Sequence, residues 1–139
     1  MTTQTLLSSI FVAIAFAAWP LIGRQALVSG AWMATVVMIG SAISVTLLSS
    51  TQLTGWPSTR ALWILGAAAI VNGLAVFVYS ASVANPAVPA GPFIVVVSVL
   101  QVAAVPFLAW VMPDGQAPSL RQAAGFAFAA VAVYLLAKN

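Results

Sequence analysis

Residues 61–83 read ALWILGAAAIVNGLAVFVYSASV, and this stretch decides the fold. None of its residues is charged, and its most polar side chain is the amide of Asn72, near its centre. At about 1.5 Å of rise per residue, an α-helix of this length crosses the roughly 30 Å hydrocarbon core of a bilayer. The stretch is therefore predicted to be a membrane-spanning helix.

The rest of the chain repeats this pattern, because its few charges lie beside predicted loops or ends. The charged residues are Arg24, Arg60, Asp114, Arg121 and Lys138. Apolar segments are predicted at residues 6–23, 31–48, 61–83, 88–111 and 120–137. They lack the alternation of an outer-membrane barrel. We therefore expect an all-α integral membrane protein, with five transmembrane helices in one domain over residues 1–139.

The composition gives the same class and excludes several functions. Apolar residues make up 63% of the chain and charged residues 4%, with a mean hydropathy of +1.15, so the bilayer must act as its solvent. The pI near 10.3 reflects four scattered basic residues against one acidic residue, which does not favour a nucleic-acid partner. Without cysteine or histidine, disulfides, thiolate chemistry and the usual metal sites are excluded. We expect no cofactor and no enzymatic activity.

Short polar connectors separate the segments. Ser58 or Thr59 is predicted to cap the third helix, and Ser119 the fifth. Asn85 and Pro86 are predicted to form a turn, because proline ends a helix. The first segment is expected to be a mature helix and not a signal peptide, because residues 1–4 carry no basic side chain.

Five spans place the two termini on opposite faces of the membrane, and the basic residues then divide evenly. Arg60 and Arg121 fall on one face, and Arg24 and Lys138 on the other. Cytoplasmic loops normally carry an excess of Lys and Arg that fixes orientation. Two interpretations follow: the charges balance by chance and the chain inserts one way, or copies insert both ways. Opposite copies would pair as an antiparallel homodimer and recreate an inverted repeat.

Several sequence motifs follow one another between residues 72 and 125. They are NGLAVFVY at 72–79, AVPAGPF at 87–93, PFLAW at 106–110, Asp114, and QAAG at 122–125. In this order they resemble the EamA domain of the drug/metabolite transporter superfamily, over essentially the whole chain. The resemblance implies a half-transporter, since typical members have two five-helix repeats. The related small multidrug transporters have four helices and work as antiparallel dimers.

The chain departs from the family at several positions. The first segment has Trp19-Pro20 where the family often has Trp-Gly. Asp114 stands where a glutamate is common, and Ala132 where the family has a glycine. The first segment also lacks the membrane-embedded glutamate with which small multidrug transporters exchange protons for cationic drugs. Proton coupling through a buried acid and a preference for lipophilic cations are therefore disfavoured. The resemblance implies transport, in the export direction, of small amphipathic metabolites or drugs, and neutral or zwitterionic solutes fit better than cations.

Two amides near the bilayer centre are the first candidates for a solute site. Asn72 and Gln101 lie at the middle of the third and fourth segments, where an unpaired amide costs several kcal/mol. Ser98 lies one turn before Gln101, and Tyr79 two turns after Asn72. Trp19 is a further candidate to line the pathway. The alternative is that the two amides hydrogen-bond to backbone groups or to each other and only hold the helices together.

Prolines and small residues suggest two further roles. Pro92 and Pro106 are hinge candidates for alternating access, although prolines are common in membrane helices. Gly125 and Ala129 are four residues apart in the fifth segment, a spacing that allows close helix packing. By resemblance to the small multidrug transporters this segment is predicted to form the dimer interface. Packing within one subunit is the alternative.

These predictions combine into a transporter of the cell inner membrane, multi-pass, working by alternating access as an antiparallel homodimer. Its expected partners are the lipid bilayer, a small-molecule substrate and a second copy or a similar half-size partner. The alternatives are one half of a heterodimeric transporter, a non-transporting membrane scaffold or assembly subunit, and a fragment of a longer ten-helix transporter.

Overall fold

The computed structural model describes residues 3–112, 115 and 117–137. Within these residues the chain forms five α-helices and no strand, which confirms the all-helical class. The helices are α1 Thr3–Arg24, α2 Gly30–Ser49, α3 Thr59–Ala84, α4 Ala90–Val111 and α5 Leu120–Ala137. Asp114, which belongs to the motif order above, and Lys138, which enters the charge count, lie outside the described residues.

Four of the five helices are long and apolar enough to cross a membrane. The mean hydropathy of α1 to α4 lies between 1.9 and 2.4, and each has 20 to 26 residues. Helix α5 has 18 residues and a shorter apolar run, Leu120–Leu135. The membrane-span prediction is thus confirmed, by length and composition, for four helices, and the fifth span stays a prediction.

Serine residues begin three of the helices. The Oγ of Ser58 accepts a hydrogen bond from the Ala61 amide at 3.2 Å, as predicted for α3. Ser119 forms a reciprocal cap with Gln122: the Gln122 amide donates to Ser119 Oγ, and the Ser119 amide donates to Gln122 Oε1 at 2.7 Å. Ser29, which the sequence analysis did not single out, caps α2 in the same way. These caps satisfy amides that a helix start leaves unpaired.

The turn between α3 and α4 is built around Asn85. Its Oδ1 accepts from the Ala87 amide at 3.0 Å, and its carbonyl accepts from the Val88 amide at 3.1 Å. The predicted turn at Asn85 and Pro86 is therefore confirmed. Helix α4 begins at Ala90 and not at residue 88, because Pro89 takes the N-cap position with extended backbone angles.

The helices fall into two compact units that divide between Val88 and Pro89. The first unit holds α1, α2 and α3, and the second holds α4 and α5. In the first, α2 packs along α3 and α1 makes a smaller contact with α3. In the second, α4 packs along α5. The sequence-based prediction of one five-helix domain stays a prediction.

The buried residues of the first unit gather at one end of it. They are Pro20, Met33, Ala34, Ser80 and Val83. They come from the end of α1, the start of α2 and the end of α3, which the up-and-down order of the helices brings to the same level. Away from this end, large apolar side chains point outward: Phe11 is 72% exposed and Leu47 70% exposed. Such a surface suits lipid, not water.

Helix contact in the second unit includes an aromatic pair. The rings of Phe107 in α4 and Phe126 in α5 have centroids 5.0 Å apart and planes inclined by 39°. This distance lies in the favourable range for offset or tilted aromatic pairs. The pair fixes the face that α5 turns toward α4.

Candidate functional site

The two candidate amides lie at the centres of their helices. Counted from Thr59, Asn72 is the fourteenth of the 26 residues of α3. Counted from Ala90, Gln101 is the twelfth of the 22 residues of α4. A helix that spans a bilayer with its ends at the two surfaces places its central residue at mid-depth. If α3 and α4 cross the bilayer in this way, both amides lie at the depth where hydrogen bonding to water is scarcest.

Neither amide is satisfied within the described part of the chain. Asn72 is exposed, and its Nδ2 has a single hydrogen-bond partner there, the Sδ of Met38 in α2 at 4.0 Å. A thioether sulfur is a weak acceptor. Gln101 is exposed and makes no hydrogen bond with the described residues.

The remaining polar candidates divide between the two units. In the first, the rings of Trp19 and Tyr79 are 5.5 Å apart with planes inclined by 46°, so these two candidates are in contact. Tyr79 lies seven residues after Asn72, on the same face of α3. In the second, Ser98 Oγ donates to the Ile94 carbonyl at 2.9 Å, one turn before Gln101. The hydroxyl proton of Ser98 is therefore already used within its own helix.

Proline adds a backbone acceptor beside Gln101. Pro106 lies inside α4 and has no amide hydrogen, so the carbonyl of Val102 lacks its usual donor four residues later. Pro92, by contrast, is the third residue of α4, where amides have no intrahelical acceptor and nothing is lost. A hinge in α4 thus has a structural basis at Pro106. The hinge role of either proline stays a prediction.

Ser80 is a buried hydroxyl that the sequence analysis did not identify. It is 0% exposed, and its Oγ has no hydrogen-bond partner among the described residues. Most other helical serines, such as Ser82 and Ser44, donate to the carbonyl four residues earlier. The only sequence signal was a hydroxyl within an apolar run, which also describes exposed serines such as Ser44. Its burial follows from packing between helices distant in sequence.

Close backbone packing surrounds Ser80. The Gly30 backbone approaches α3 so closely that a Cβ added to it would lie 2.6 Å from the Ala81 nitrogen and 2.9 Å from the Ser80 carbonyl carbon. Real Cβ atoms essentially never make contacts this short. Gly30 is therefore required for the contact between the start of α2 and the end of α3.

Arg24 ties the end of α1 to the turn after α3. Its Nη1 donates to the carbonyl of Val88 at 3.0 Å, and the side chain is half-buried. From the sequence, Arg24 was only one of the charges beside a predicted loop. In the structure its guanidinium donates to a specific acceptor, the Val88 carbonyl, and so satisfies a backbone group in the turn.

The small residues of α5 are only partly covered. Gly125 is exposed and a Cβ added there would meet no atom within 4 Å, while Ala129 is half-buried. Gly125 precedes Phe126, whose ring packs on α4. The open side of Gly125 is available to another helix, and its role as a dimer interface stays a prediction.

Comparisons with protein families, with curated proteins and with solved structures find no match to this chain. The resemblance to the EamA domain therefore rests on the order of the sequence motifs.

Proposed function

We propose that this chain is a half-size transporter of the drug/metabolite type, inserted in the cell inner membrane by five spans. Two oppositely oriented copies form the ten-helix unit that moves small amphipathic solutes outward by alternating access. The observation that carries the proposal is that the described residues leave the amides of Asn72 and Gln101 unsatisfied at the centres of long apolar helices. Amides at this depth need a partner, and a polar solute in a transport pathway is one.

The proposal includes α5 as the fifth span. Its 18 residues extend over about 27 Å, close to the thickness of the thinner bilayers. A span of this length crosses with little tilt. The cap at Ser119 places the start of the helix beside a polar connector, as expected at a membrane surface.

The solute is expected to be neutral or zwitterionic. Helix α1 contains no carboxylate, and no acidic residue occurs in any described helix. A lone organic cation would therefore have no counter-charge at mid-depth. Polar groups available there include the Asn72 amide in α3 and, in α4, the Gln101 amide and the Val102 carbonyl, which bind hydroxyl, amide and carbonyl groups. Within the first unit, the Trp19–Tyr79 pair offers an aromatic surface for the apolar part of a solute bound at Asn72.

Replacing Gln101 by alanine tests the solute site. We expect the flux of neutral and zwitterionic fluorescent amphiphiles from liposomes to fall about tenfold or more, because the bound solute loses a hydrogen-bonding partner in an apolar site. The oligomeric state in detergent should not change. Ser44→Ala is the matched control, since the Ser44 hydroxyl is already bonded to the Gly40 carbonyl at 2.8 Å. It should keep full flux.

Three other outcomes separate the alternatives. If Gln101→Ala disrupts assembly and not only flux, the amide acts as a hydrogen bond between helices. If the unaltered chain alone gives no flux but gains it with a similar half-size chain, the transporter is a heterodimer. Absence of flux together with absence of stabilisation by any tested amphiphile supports a membrane scaffold or assembly subunit.

A further inference from the structure

Asn72 lies midway between the two polar ends of α3, a position that a solute site does not itself require. Asn72 is central in α3, and the polar groups that bound the helix, Arg60 and Asn85, lie twelve and thirteen residues to either side. Its amide is exposed, with only the sulfur of Met38 as partner within the described residues. In hydrocarbon this amide must be covered by a hydrogen-bonding group.

An antiparallel pair of copies brings a central residue opposite itself. The two-fold axis that relates such copies lies in the membrane plane, so depth is inverted about the midplane. A residue a given distance before the centre of α3 then faces the residue the same distance after it. Only a residue at the centre, as Asn72 is, meets its own counterpart.

The amide group is complementary to itself. It carries two N–H donors and a carbonyl with two lone pairs, so two Asn side chains exchange two hydrogen bonds. Each amide keeps one donor and one lone pair for a solute. The neighbours three residues away on either side, Ala69 and Ala75, are exposed and small, and they allow the two backbones to approach.

We propose that the Asn72 side chains of two oppositely oriented copies hydrogen-bond to each other at mid-membrane, with α3 crossing α3. The inference rests on the antiparallel arrangement of the proposed function, and it identifies Asn72 as a contact between the two copies. It places a dimer contact on α3, in addition to the stripe predicted on α5. It also places the solute next to the two-fold axis, where both copies contribute an amide.

Cysteine cross-linking distinguishes this antiparallel contact from a parallel one. The chain has no native cysteine, so only the introduced cysteines can link. Differently tagged Ala69→Cys and Ala75→Cys chains are co-expressed and oxidised in membranes. Antiparallel pairing about Asn72 brings position 69 of one copy opposite position 75 of the other, so the mixed cross-link forms. Two copies of position 69 are then about 9 Å apart along the axis, beyond disulfide reach, and do not link.

The outcomes that overturn the inference are specific. Cross-linking of Ala69→Cys to itself shows a parallel contact, and no cross-link in any combination shows that α3 does not meet α3. Asn72→Leu added to both chains should lower the mixed cross-link about fivefold, and Asn72→Gln should retain most of it. An unchanged yield with Asn72→Leu removes the amide pair from the account.

Flux measured on the same co-expressed chains before oxidation separates this inference from the proposed function. Transport without the mixed cross-link leaves the transporter intact and rejects the α3 contact. The mixed cross-link without transport of any tested amphiphile retains the antiparallel dimer and rejects the transporter.

Discussion

Gly30→Ala is expected to lower the free energy of unfolding of the chain by about 1 to 3 kcal/mol, the usual cost of overpacking. The added Cβ would overlap the backbone of α3 at Ala81, and a backbone atom cannot turn aside as a flexible side chain does. Helix α2 must shift away from α3, which opens the buried end of the first unit around Ser80. Thermal unfolding in detergent, followed by far-ultraviolet circular dichroism, measures the change.

The matched control is Gly40→Ala in the middle of the same helix. A Cβ at Gly40 meets no atom within 4 Å, and alanine is the better helix former by up to about 1 kcal/mol. Gly40→Ala should therefore be as stable as the unaltered chain, or more stable. Equal stability of the two variants would contradict the close contact between α2 and α3.

Adding one lysine to the α2–α3 connector is expected to convert a mixed population into a single orientation. The proposed five-span arrangement has two basic residues on each face, so Gln52→Lys makes the count three against two. Gln52 is exposed in a connector and contributes no helical packing. The face with the excess of Lys and Arg stays in the cytoplasm. With all copies oriented alike, antiparallel pairs do not form and flux is lost.

A second variant restores the pair. Ala26→Lys adds its charge to the α1–α2 connector, on the opposite face, and orients the chain the other way. Co-expression of Gln52→Lys with Ala26→Lys should recover the flux that either loses alone. Failure of the mixture to transport, when the unaltered chain does, would contradict the antiparallel dimer. Full flux from Gln52→Lys alone would also contradict the antiparallel dimer.

Local chemistry explains which parts of the fold the sequence predicted well. The serine caps at Ser58 and Ser119 and the turn at Asn85 depend on residues within a few positions of each other. Helix lengths follow from the apolar runs, so predicted and observed bounds differ by at most three residues at each end. Helix α4 begins at Ala90, two residues later than predicted, because the N-cap proline Pro89 lengthens the connector.

Contacts between distant residues were not predictable in the same way. The burial of Ser80 and the approach of Gly30 to Ala81 depend on how α2 is rotated against α3, and the apolar residues around both helices leave no periodic signal to fix that rotation. The bond from Arg24 to the Val88 carbonyl joins residues 64 positions apart. Among the site candidates, the structure brings Trp19 and Tyr79 together. The roles of all of them remain proposals.

Orientation in cells is the property on which the account depends most directly. Single cysteines at Ala26 and Thr54 place one label site in the α1–α2 connector and one in the α2–α3 connector, separated by a helix long enough to span the membrane. A membrane-impermeant thiol reagent is applied to intact and to permeabilised cells. We expect each site to react from outside in a substantial fraction of copies, and the rest to react only after permeabilisation. Reaction of one site entirely from outside and of the other entirely from inside would contradict the antiparallel homodimer.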